Sequence, residues 1–112
     1  MKIDLSNKIA VVTGSTGQLG RTMARSLAKC GANIGLCYYS NKDFAQDLKD
    51  EIESDYSVKA VCVQVDVTDL SSVMSMKNEI IENLGIADII VNNAVIQLQK
   101  WRSVIDQSSE DY

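Results

Sequence analysis

Thr13-Gly14-Ser15-Thr16-Gly17-Gln18-Leu19-Gly20 is the stretch on which the reading of this sequence turns. It follows a continuous apolar run, Ile9-Ala10-Val11-Val12, and opens a segment where Leu19, Met23, Ala24, Leu27 and Ala28 recur at helical spacing. The run reads as a strand buried on both faces, and the recurrence reads as an amphipathic helix. A glycine-rich turn between two such elements can hold a diphosphate. Gly14 lets the chain turn tightly, Gly17 offers backbone without a Cβ to phosphate oxygens, and Gly20 lets the helix pack close. The helix N-terminus adds unpaired N–H groups and the positive end of its dipole. The bland alternative is a tight turn with no ligand, and the position between strand and helix tells against it. No Gly-Lys-Ser/Thr follows, which excludes a P-loop.

Working outward, Ile34 to Tyr39 is a second strand, weakened by Gly35. Lys42 to Tyr56 carries a helical stripe of Ala45, Leu48 and Ile52. Lys59 to Asp66, with Val61, Val63 and Val65, is a third strand. Thr68 or Asp69 caps a helix running to Leu84, which Gly85 stops, and Asp88 to Asn92 is a fourth strand. Strands alternating with helices in this way imply a parallel sheet, because each crossover returns the chain to the same end. After Ala94 the pattern loosens into a loop carrying Trp101. Ser108-Ser109-Glu110-Asp111 then looks like a helix cap with first-turn acids, a helix start that reads as the sign of a truncated domain.

Composition narrows the function classes. The chain has 112 residues, 46% of them hydrophobic, with Lys+Arg 11 against Asp+Glu 15 and a net charge of -4, so one globular domain is expected over residues 1–112. No apolar run approaches the ~18 residues of a membrane span, and no signal peptide is visible. The lack of a basic cluster argues against nucleic acid as a partner. There is no His, so imidazole bases and His metal sites are excluded, and no metal site is assigned. Cys30, Cys37 and Cys62, odd in number and without a C-x-x-C pair, read as reduced thiols of a cytoplasmic protein and as buried core filler.

The turn from Thr13 to Gly20, Asp66-Val67 after the third strand and Asn92-Asn93-Ala94 after the fourth resemble the short-chain dehydrogenase/reductase family. Lys8 to Gly14, and Gly31-Ala32-Asn33 before the second strand, fit as well. The likeness covers nearly the whole chain and is closest to the single-domain branch of 3-oxoacyl-carrier-protein reductases and sugar or polyol dehydrogenases. It implies an α/β, Rossmann-type doubly wound sheet with four parallel strands in the order 3-2-1-4. The first two helices would share one face and the third would cover the other. There are two departures. The branch's middle glycine would stand at Gln18, whereas here it is Gly17, and its Asn-Asn-Ala-Gly appears as Asn92-Asn93-Ala94-Val95.

Carried over by position, the resemblance implies that Gly14, Ser15, Thr16, Gly17, Gln18, Leu19 and Gly20 form the pyrophosphate turn, with the Ser15 and Thr16 hydroxyls within reach of phosphate or ribose. Asp66 and Val67 would meet the adenine, with a loop or helix-capping aspartate as the alternative. Asn92, Asn93 and Ala94 would lie under the cofactor ribose and steady the sheet. NAD-binding folds usually place an acid ~20 residues past the glycines for the ribose 2′-OH. Here that region reads Tyr39-Ser40-Asn41-Lys42, with no acid until Asp43, which favours NADP over NAD. Lys42 reads equally well as a solvated first-turn residue.

The family's catalytic Ser and Tyr-x-x-x-Lys pair lie beyond its fourth strand, and no catalytic residue is assigned here. The function implied is the NAD(P)-binding portion of an oxidoreductase that transfers hydride between a nicotinamide cofactor and a carbonyl or alcohol. The alternative is a complete, non-catalytic nucleotide-binding or interaction module. An uncovered fourth strand and an exposed apolar face are expected to make the chain associate with itself as a homo-oligomer, or with a missing C-terminal portion. A small carbonyl or alcohol substrate would need that portion.

Overall fold

The computed structural model describes residues 3–93. They form β1 (Ile9–Val12), α1 (Gln18–Lys29), β2 (Asn33–Tyr38), α2 (Lys42–Tyr56), β3 (Ala60–Gln64), α3 (Leu70–Asn83) and β4 (Ile89–Val91). The four strands pair in parallel in the order β3-β2-β1-β4, as expected. β1 matches its apolar run and β2 is shifted by one residue, while β3 and β4 run shorter than their patterns, because β4 pairs with β1 only from Ile89 to Val91 and β3 with β2 only from Ala60 to Gln64. The loop around Trp101 and the helix start at Ser108-Asp111 lie outside the described residues.

Alternation along the strands sorts the core into two layers. Ala10, Val12, Ile34, Leu36 and Ala60 turn to one face and close around Ala24 and Ala28 of α1 and Leu48 and Ile52 of α2. Val11, Cys37, Val63 and Val65 turn to the other face, against Ile80 of α3. The helices therefore distribute as the strand order implies. Fully buried Ile34, Leu36, Leu48 and Ile52 each contribute about 1.5–3 kcal/mol by leaving water. The second layer is thinner. Leu70, Met74 and Ile81 of α3 remain exposed, as does Ile90, whose strand neighbours Ile89 and Val91 pack on the opposite face.

Two readings of single residues are corrected. Gly35 is a site of close approach more than a weak point in β2. A Cβ there would lie 3.2 Å from Ile80 Cδ1 and 3.4 Å from Val11 Cγ2, so the bare backbone leaves room for Ile80 of α3 to pack over the strand. Of the three cysteines only Cys37 is buried, while Cys30 and Cys62 are half-buried. Cys30 caps the end of α1, beyond its last packed turn, and Cys62 stands on β3, the outer strand of the α1/α2 side. Cys62 donates its Sγ–H to the Ala45 carbonyl at 3.1 Å. Burial pushes the Cys37 thiol up to about 12 and the Cys62 thiol up to about 11, so both stay protonated at neutral pH.

Arg25 ties α1 to α2 through a two-pronged contact, Nε to Glu51 Oε2 at 2.7 Å and Nη2 to Oε1 at 2.9 Å. That hydrogen bond holds the Glu51 carboxyl below its ordinary value. Both side chains are more than a third exposed, which limits the pair to about 0.5 kcal/mol. A lowered carboxyl pKa contributes stability that is full above the unfolded value and lost as pH falls through the folded one. Glu51→Gln should therefore cost about 0.5 kcal/mol at pH 7. In urea denaturation series the gap to the parent should close as pH drops below about 4.

Candidate functional site

A parallel sheet brings the carboxyl ends of all its strands to one edge. The segments following β1, β2, β3 and β4 therefore gather there: Thr13 to Gly17, Tyr39 to Asn41, Val65 to Asp69, and Asn92-Asn93. Every sequence-predicted site residue within the described range lies in these segments or in the first turn of the helix that follows. Ala94 lies outside the described residues.

Gly14 takes a left-handed conformation at φ +63°, and Gly17 N–H donates to its carbonyl at 3.1 Å. Gly17 is the N-cap of α1, and no side chain caps the helix. The first helical bond runs from Arg21 N–H to the Gly17 carbonyl at 2.9 Å, so the amides of Gln18, Leu19 and Gly20 have no acceptor within the helix. Gly17, Gln18 and Leu19 are exposed, Thr16 is half-buried, and the first turn of α1 carries no acid. An anion approaching this terminus meets N–H groups and no carboxylate from the helix. The tight packing expected of Gly20 is found, against the turn itself. A Cβ there would stand 2.2 Å from the Gly14 carbonyl oxygen and 2.9 Å from its carbon.

Ser15 turns its hydroxyl inward. Its side chain is wholly buried, and its Oγ–H donates to the Cys37 carbonyl at 3.0 Å. The physical reason is the left-handed Gly14, after which the next side chain is directed into the sheet's edge and must find an acceptor there. Thr13 makes the corresponding contacts on the other flank. Its N–H donates to the Val91 carbonyl at 3.0 Å, and its Oγ1 accepts from Asn93 N–H at 2.9 Å. The same Oγ1 lies 3.3 Å from both the Val91 carbonyl oxygen and Asn92 Oδ1. The sheet-steadying part of the Asn92-Asn93 expectation thus runs through Thr13.

Past β2, Tyr39, Ser40, Asn41 and Lys42 are all exposed. Asn41 is left-handed at φ +67° and caps α2, its Oδ1 accepting from Phe44 N–H at 3.4 Å. Its amide oxygen is thus engaged by the helix, leaving Tyr39, Ser40 and Lys42 as the outward groups of this segment. Asp66 Oδ1 accepts from both the Thr68 amide at 3.0 Å and its hydroxyl at 2.6 Å, so it shapes the loop before α3. The cap of α3 is Asp69, accepting from Ser71 N–H at 3.0 Å. Val67 is partly exposed beside it.

Arg21, which the sequence pattern leaves outside the helix stripe, stands beside the candidate site. Its guanidinium lies 4.8 Å from the centre of the Phe44 ring, and its Nε–H donates to the Gly17 carbonyl at 3.4 Å. A cation therefore sits between the glycine turn and the start of α2. The available signal is its place directly after the last glycine. One Tyr-x-x-x-Lys spacing does occur in the sequence, from Tyr38 to Lys42. The fold separates their surroundings: Tyr38 ends a strand, buried, with its pKa raised by that burial, and Lys42 opens a helix, exposed. They do not share a helix face. Among the described residues no cluster could hold a metal ion, and no helix is long and apolar enough to cross a membrane.

Residues 8–111 match the family model described as short chain dehydrogenase. The chain is similar to the 3-oxoacyl-(acyl-carrier-protein) reductase of Staphylococcus epidermidis, at 34% identity over 109 residues, covering 89% of this chain and 44% of that protein. It is similar to the D-beta-hydroxybutyrate dehydrogenase of Rhizobium meliloti, at 39% over 90 residues, covering 80% and 35%. Among solved structures it resembles L-sorbose reductase of Gluconobacter frateurii complexed with NADPH and L-sorbose. That match has a TM-score of 0.80 and 30% identity over 91% of this chain and 42% of the other. The chain spans less than half the length of these relatives.

The contact between residue 20 and the Gly14 carbonyl yields a sharp expectation, because neither backbone can retreat. Gly20→Ala should destabilise the protein by about 1–3 kcal/mol. Urea denaturation measures it, and an unchanged midpoint would refute the assigned packing.

Proposed function

Since the chain belongs to the short-chain dehydrogenase/reductase family, we propose that it is the NAD(P)-binding portion of an oxidoreductase acting on a carbonyl or alcohol. The observation that carries this is the uncapped N-terminus of α1, open at the carboxyl edge of the sheet behind an exposed Gly17. The residues present fit a dinucleotide. Gly14 to Gly20 would hold the diphosphate on the amides of Gln18, Leu19 and Gly20. Asp66 and Val67 would flank the adenine, and Asn92, Asn93 and Ala94 would lie beneath the nicotinamide-side ribose. When bound, the cofactor supplies or accepts the hydride; the chain's own residues bind it and orient it.

NADP is preferred over NAD on this reading. A 2′-phosphate at the end of β2 would meet the outward groups of Tyr39, Ser40 and Lys42, with the Arg21 guanidinium close by and no carboxylate before Asp43. The NADPH complex of L-sorbose reductase supports this preference by similarity. Free thiols at Cys30, Cys37 and Cys62 are in keeping with a cytoplasmic protein. The exposed Leu70, Met74, Ile81 and Ile90 support burial of this side, by further chain or by a second copy in a homo-oligomer.

Titration calorimetry of the protein in its full natural length tests the cofactor. NADPH should bind about tenfold more tightly than NADH, and Lys42→Glu should weaken NADPH about tenfold while leaving NADH within about twofold. Absence of binding by either nucleotide would overturn the reading, whereas binding without ketone reduction would favour a non-catalytic module. Sedimentation should show an assembly larger than one copy.

A further inference from the structure

Ser15 makes two bonds to one atom. Its amide N–H and its hydroxyl both donate to the carbonyl oxygen of Cys37, each at 3.0 Å. A carbonyl oxygen has two lone pairs and accommodates both. Ser15 is 0% exposed, and Cys37 is equally buried. The place of this contact is specific. The ladder between β1 and β2 ends at Val12 and Leu36, so Cys37 stands one residue past the last position paired with β1. On its other side β2 continues to pair with β3 through Cys37–Val63 and Tyr38–Gln64. Tyr39, the first exposed residue of the ribose segment, is two residues further on.

The amide alone would tether the turn to β2 at a point. The second bond, from the side chain of the same residue, also restrains how the turn rotates about that point. Gly20 closes the opposite side, since a Cβ there would come within 3.0 Å of Ser15 Cα. The glycine turn is thus held against the strand end that carries Tyr39 to Lys42, by a residue whose side chain is wholly buried.

We infer that Ser15 is a positioning residue, whose hydroxyl sets the spacing between the diphosphate turn and the 2′-phosphate end of β2. The inference rests on the cofactor reading above. A ligand that spans both elements gains from their being held in place beforehand, whereas a ligand that touches only one is indifferent to the spacing.

The test is calorimetry on Ser15→Ala in the full-length protein, at a temperature where parent and variant are both folded. NADPH spans the two elements, whereas adenosine 2′-monophosphate would engage the β2 end and the Asp66-Val67 segment but not the diphosphate turn. The variant should bind NADPH about three- to tenfold more weakly, and adenosine 2′-monophosphate within about twofold of the parent. Ser15→Cys keeps a weak donor in nearly the same space; its NADPH affinity should fall between the two, and it carries the test if the alanine variant does not fold. Unchanged NADPH affinity in the variants, with the parent binding NADPH, overturns the inference and leaves the cofactor reading standing. Equal weakening of both ligands also overturns it, because that would be general loosening of the site. A parent that binds neither ligand removes the cofactor reading and this inference together.

Discussion

One carbonyl oxygen occupies the space where residue 20 would carry its first side-chain carbon. The Gly14 oxygen would lie 2.2 Å from such an atom, so α1 can begin where it does only because residue 20 has no side chain. That approach brings the first turn of α1 down onto the turn that leaves β1. From there Ala24 and Ala28, both small, continue the close contact along the sheet. Had α1 been lifted by a side chain at position 20, its amide terminus would sit away from the strand ends, and the packing would be lost. Core and site here depend on the same contact.

The turn is fastened on both flanks by hydroxyls. Thr13 joins it to the end of β4, and Ser15 joins it to the end of β2. These are the two buried polar residues among those described, and they sit on either side of the left-handed Gly14. Buried hydroxyls are costly unless bonded, and both find partners at the point where the ladders end and strand backbone groups become available. The central strand's exit is thereby set against its neighbours on each side. In an open parallel sheet this is the place where crossovers diverge to opposite faces and a crevice opens.

The two faces of the sheet differ in how they are covered. α1 and α2 form a continuous layer, joined to each other by the Arg25–Glu51 pair and by Arg21 over Phe44. Among the described residues α3 is the one helix on the other side, buried chiefly at Ile80, which packs over Gly35. The same packing that joins α1 to α2 places Arg21 between the Gly17 carbonyl and the start of α2. A contact that stabilises the layer therefore also puts positive charge where a phosphate would be read.

Much of this was legible in the sequence because it is written in local periodicity. The continuous Ile9 to Val12 run, the stripe of Ala45, Leu48 and Ile52, and glycines at fixed offsets specify element type and succession through spacings of a few residues. Parallel pairing then follows from the alternation of strands and helices, while the strand order and the strand ends proposed as the site came from the family resemblance. What the tertiary structure alone decided is the direction and partner of individual side chains. Ser15 turned inward to the Cys37 carbonyl, distant in sequence, which its own amide already meets. Asn41 turned its amide oxygen to α2, Arg21 settled over Phe44, and Gly35 became a seat for Ile80, each for a partner on another element or turn. Periodicity records which face of an element is apolar; it holds no record of where a strand distant in sequence ends. The hydrogen bonds that finish this site are made at that end.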